Sequence, residues 1–123
     1  MKQKEPKLPP TPDPLYLEKV LGITHAELAK IVGCSYSSLQ RLILGARTPS
    51  TQDKEAEILR LLERMTETLV TLYGGNEAMV AQWMRVPMPG RLPPIEALIS
   101  VEYLVNTTSQ LEAQLKHKKT THV

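Results

Sequence analysis

A single cysteine, Cys34, stands in 123 residues. That scarcity excludes an intramolecular disulfide and any zinc site built on several thiolates. It also points to a reducing compartment, the cytoplasm. No apolar run approaches the roughly 20 residues that a membrane helix needs. Met1 to Pro14 holds lysines and five prolines but no apolar stretch, so no signal peptide is expected. An excess of one charge is missing too. The 15 basic and 13 acidic residues leave +2, too little by itself to argue for a nucleic-acid partner. Catalytic signatures are equally sparse: there is no glycine-rich phosphate loop, paired-carboxylate motif or His-Glu-x-x-His metal motif. His25, His117 and His122 all lie away from Cys34 in the sequence. Cys34 itself reads as a packing residue rather than a nucleophile. The expectation is a protein that is not an enzyme and that needs no cofactor or metal.

What is present is helical pattern broken by proline and glycine. The length suits one domain, or two very small ones sharing a core. Residues 1–14 end in KLPPTPDP, four prolines in eight residues, and read as an extended arm. Helical spacing begins at Leu15, with Tyr16, Val20 and Leu21, and stops at Gly22. Thr24 and Glu27 form a capping-box pair for a helix to about Val32. Gly33 supplies a turn, and Ser35 caps a helix ending at Leu44-Gly45. Residues 52–73 carry the longest helical pattern. Ile58, Leu61, Leu62, Met65, Leu69 and Leu72 mark its apolar face, a surface suited to dimerisation. Asn76 caps a short helix through Arg85. Val86 to Pro94 holds four prolines and a glycine and reads as a structured loop. Pro94 opens a short helix over Ile95 to Ile99. A last helix starts near Val101 and is expected to fray before Lys116, leaving a polar tail. No strand is expected, so the fold class is all-α.

The stretch ITHAELAKIVGCSYSSLQRLILG has the spacing of a helix-turn-helix. Ala29 is the small residue where two helices cross, and Gly33 meets the turn's demand for a positive φ. Leu28, Val32, Cys34, Leu39 and Leu42 fall where they hold the pair together. The second helix then presents Ser35, Tyr36, Ser37, Ser38, Gln40 and Arg41. In this motif the second helix enters the major groove. Gln suits adenine and Arg suits guanine in bidentate pairs, while serines and helix N-termini suit phosphate oxygens. Arg47, just beyond, is placed for the DNA backbone. Lys19, Lys30, Arg41 and Arg47 outnumber Glu18 and Glu27 between residues 15 and 50, so this region is locally basic.

The same stretch resembles the Xre (Cro/C1-type repressor) family over residues 15–65. The residues that carry the resemblance are Thr24, Glu27, Leu28, Ala29, Gly33, Gly45, Pro49 and Ser50. It implies double-stranded DNA as partner and adds Thr24 and His25 to the DNA-facing set, His25 standing where the family often has a phosphate-contacting glutamine.

Farther on, Trp83-Met84, Pro87, Pro89, Gly90-Arg91, Pro93 and the run Pro94 to Leu98 resemble the toxin-binding domain of the Xre/MbcA/ParS antitoxins, over about residues 68–112. Ser100-Val101-Glu102 departs from that family's small-residue start, and Gln110 to Val123 is a polar extension. The two resemblances divide the chain into an arm at 1–14, a DNA-binding unit at 15–67, a toxin-binding unit at 68–112 and a tail at 113–123. They imply a type II antitoxin that represses its own promoter and neutralises a toxin directed at NAD. Trp83, Arg85, Arg91, Glu102 and Tyr103 would form the toxin face. Read from the residues alone, Trp83 is either a core anchor or a partner hot spot. Two further readings stay open: a stand-alone regulator whose C-terminal half only dimerises, and a protein adaptor without DNA binding. A homodimer or larger assembly is expected.

Overall fold

A computed structural model describes residues 13–45, 54–87 and 89–120. Among them the chain is all-α, with seven helices and no strand. Each short helix carries its own start signal. In α1 (Pro14–Leu21), the Asp13 carboxylate accepts from the Leu15 N–H at 3.0 Å and Pro14 takes the first turn, where its missing N–H costs nothing. Asp13 and the buried Pro14 therefore belong to a helix start, although the sequence places them in the arm. The capping box of α2 (His25–Val32) is closed, Thr24 Oγ1 accepting from the Glu27 N–H and Glu27 Oε1 from the Thr24 N–H. Ser35 Oγ caps α3 (Tyr36–Ile43) by accepting from the Ser38 N–H at 3.0 Å. Between α2 and α3, Gly33 sits at φ 88° with no atom near a would-be Cβ. The turn selects glycine there for its dihedral alone.

Helix α4 (Lys54–Leu72) is the spine. Ile58, Leu62, Met65 and Leu69 are buried as the spacing predicts, while Leu61 and Leu72 are only half-buried. Leu59, Thr66 and Thr68 are buried as well, so the helix is covered over more than one stripe. Thr66 and Thr68 satisfy their hydroxyls on the Leu62 and Arg64 carbonyls four residues back.

After Gly74-Gly75, α5 (Glu77–Arg85) starts on an Asn76 cap, and α6 (Pro94–Ala97) is a single turn. This return path lets α7 (Val101–Thr120) lie along α4 in the same sense. Arg64 pairs with Glu112, and farther along both helices the Lys118 ammonium donates to the Leu72 carbonyl at 3.2 Å. These contacts, with Leu111 buried, carry α7 past Lys116, where composition alone predicts fraying. The apolar face of α4, which in sequence suits a second copy, is covered within the chain by α7, α1, α2 and α5. Buried apolar residues from Leu17 to Leu111 join one cluster. No helix of the described residues is long and apolar enough to cross a membrane.

Candidate nucleic-acid interface

Helix α3 is the least embedded of the eight-residue helices. Leu39 is its only buried residue, with Leu42 and Ile43 half-buried against the core. Ser35, Tyr36, Ser37 and Arg41 are exposed, and Ser38 is half-buried. Ser35 accepts as a cap, yet its hydroxyl hydrogen stays available to an acceptor. Gln40 differs from its sequence reading. It is half-buried, and its Oε1 is shut from solvent without a hydrogen-bond partner. A bidentate contact to a base needs both ends of that amide, so Gln40 must turn outward to make one. Arg47, Pro49 and Ser50 lie outside the described residues.

The N-termini of α2 and α3 lie side by side. The rings of His25 and Tyr36, the first residue of each helix, are 5.7 Å apart between centroids and tilted by 47°. Thr24 is exposed, and the His25 side chain is 26% accessible. Glu18, on α1, holds His25 from behind, with Oε1 2.7 Å from Nδ1. A carboxylate accepts, so Nδ1 is the donor and Nε2 is left for a second partner. Two helix ends with unpaired N–H groups, two hydroxyls and a ring nitrogen thus share one edge of the molecule. Such an edge suits anionic oxygens. Glu18 was not legible as part of this edge. It lies seven residues from His25 on another helix, and only the α1–α2 turn brings them together.

The C-terminal set separates into two places. Trp83, Arg91, Glu102 and Tyr103 line an open groove of about 510 Å³ beside α7, together with Asn106 and Gln110. Trp83 is half-buried against the core, as its anchor reading expects, and its remaining surface faces this groove. Arg85 is elsewhere. Its guanidinium donates to Glu27, Nη1 to Oε2 at 3.0 Å and Nη2 to Oε1 at 2.9 Å. Nη2 also donates to the Gly22 carbonyl at 2.7 Å. The Arg85 hydrogen bonds, reinforced by the Thr24 N–H, hold the Glu27 carboxyl down at about 2, against 4.5 for an unperturbed glutamate. Among the described residues no group of three or more His, Cys, Asp or Glu side chains is arranged to hold a metal ion.

No family model and no curated protein matches the chain.

Proposed function

We propose that this chain is a cytoplasmic, non-catalytic DNA-binding repressor that reads double-stranded DNA at its own promoter through α3 and neutralises a partner toxin through the groove at Trp83. The observation that carries the DNA reading is the exposed, polar α3. It follows a three-residue turn and buries a single leucine, with the N-terminus of α2 beside its own. A helix that stabilises the core so little is poorly explained as scaffold and well explained as a reading head. Arg41 and Ser37 would reach base edges, while Thr24, His25, Ser35, Tyr36 and Ser38 would grip phosphates. The antitoxin reading rests on the sequence resemblance, and the gathering of Trp83, Arg91, Glu102 and Tyr103 at one groove supports it. The toxin would be one that acts on NAD, as the resemblance implies.

A second reading has its own support. Ile99, Val101 and Val105 are exposed apolar residues in the C-terminal half, which favours a stand-alone regulator that dimerises there. Dimerisation would double the phosphate contacts of a protein with little net positive charge.

The test is a fluorescence anisotropy titration of labelled duplex from upstream of the protein's own gene, against random duplex, across a salt series. A preference for the upstream duplex is expected, and Arg41→Ala should weaken it roughly tenfold, one bidentate pair's worth. Equal affinity for both duplexes overturns the repressor reading.

A further inference from the structure

We propose that Arg85 is a positioning residue for DNA binding: from α5 it fixes the start of α2, and through α2 the attitude of α3. This inference rests on the DNA-binding reading above and moves Arg85 out of the partner face in which the sequence places it.

Three hydrogen bonds from one guanidinium converge on the six residues from Gly22 to Glu27. One of them reaches Glu27 Oε1, which also accepts the Thr24 N–H. Arg85, Glu27 and Thr24 therefore form a continuous chain of bonds that ends on the cap of α2. The same corner is closed by packing. A Cβ at Gly22 would stand 2.8 Å from the Ala81 Cβ, and Ala81 precedes Arg85 by one helical turn on the same face of α5. Helix α5 thus seats on the α1–α2 corner by Ala81 and locks it by Arg85.

What α3 does follows from what α2 does. Helix α3 packs mainly on α2, with Leu39 buried and Leu42 and Ile43 half-buried against the core, so its attitude is set chiefly by α2. A small rotation of α2 at its cap is passed directly to the exposed residues Ser37 and Arg41. Arginine suits this task better than lysine, because its planar fork reaches two carboxylate oxygens and a carbonyl from two separate nitrogens, whereas an ammonium must donate from a single point.

The experiment uses the full chain and the upstream duplex, with Arg85→Gln, Arg85→Lys, Arg41→Ala and Lys116→Ala, each first shown to melt as one folded unit. Arg85→Gln should weaken binding roughly twofold to fivefold, the equivalent of losing one exposed ion pair. The slope of log K against log salt should stay at the wild-type value, because no phosphate contact is removed. Arg41→Ala should lower that slope or the sequence preference, Arg85→Lys should restore only part of the affinity, and Lys116→Ala, at an exposed position of α7, should bind as wild type. Wild-type affinity in Arg85→Gln overturns the proposal, as does a slope reduced by about one, which marks a direct contact. A second readout needs no DNA. Amide exchange at Thr24 to Leu28 should quicken in Arg85→Gln while that of α7 is unchanged. Unchanged exchange at Thr24 to Leu28 overturns positioning even if DNA binds. Faster exchange in a protein without duplex preference overturns the DNA role and leaves Arg85 a purely structural clamp.

Discussion

Gly22 and Ala81 meet so closely that a methyl group on the glycine would lie 2.8 Å from the alanine's own. Gly22 also has φ 68°. Two independent penalties therefore act on any side chain at 22, a strained dihedral and an overlap with α5. Gly33 carries only the first, because its φ is 88° and nothing stands within 4 Å of a Cβ there. Gly33→Ala should cost about 1–2 kcal/mol for the left-handed backbone alone. Gly22→Ala should cost more, by roughly 1–3 kcal/mol of overpacking. Ala81→Gly in the Gly22→Ala background should recover part of that extra loss. Urea denaturation of the three proteins checks it; equal costs for the two glycine variants would show that α5 does not seat on this corner.

The acid limb of stability should carry the signature of Glu27. Its carboxyl is held at about 2 in the fold, against 4.5 when unperturbed. A lowered pKa adds stability above about 4.5, and that stability is lost as the pH falls toward 2. The side chains of Arg85 and Glu27 are 45% and 32% exposed, so solvent screening reduces the gain to roughly 1 kcal/mol. Glu27→Gln keeps an acceptor for the Thr24 N–H but cannot titrate. Its deficit against wild type should therefore be largest at pH 5 to 7 and shrink by roughly 1 kcal/mol at pH 2.5. A deficit constant with pH would deny the ion pair.

The continuous core predicts a single melting transition. Leu17 on α1 and Leu104 on α7 are both fully buried in one cluster. Leu17→Ala and Leu104→Ala should each cost roughly 2–5 kcal/mol. Both should lower the same transition, whether it is followed by Trp83 fluorescence or by helix signal. Separate transitions for the two probes would indicate two independently melting units divided near residue 67.

Partner binding should depend on the groove and leave DNA binding alone. On the proposed antitoxin reading, Trp83→Ala should weaken binding of the proposed toxin partner by more than about 2 kcal/mol, with smaller losses for Arg91→Ala and Glu102→Ala. Isothermal titration with purified partners measures this. Undiminished affinity in all three variants would put the partner elsewhere, the exposed Ile99, Val101 and Val105 being the next surface to test.

The helices were legible because their signals are local. Thr24, Ser35 and Asn76 each cap within three residues, and Gly22, Gly33 and Gly75 each turn the chain where the apolar spacing stops; the Asp13 cap, inside a proline-rich stretch, was not legible. The exposed set on α3 was legible for the same reason, since an eight-residue helix with one fully buried side chain shows its polar face in its spacing. The length of α7 was not legible. Its polar end is held by Arg64 and by the Leu72 carbonyl, both more than 40 residues away. Gln40 was misread in part, because a helical wheel cannot tell which end of an amide is turned inward.

Sequence alone determined an all-α chain, most of its caps and turns, and the polarity of α3, because these depend on groups only a few residues apart. Tertiary structure decided that α4 is covered by α7 rather than left for a second copy. It decided also that Arg85 faces Glu27 while Trp83, two residues earlier, faces the groove. Those outcomes depend on which helix returns along which, and that is set by burial of the whole apolar surface at once rather than by any local run of residues.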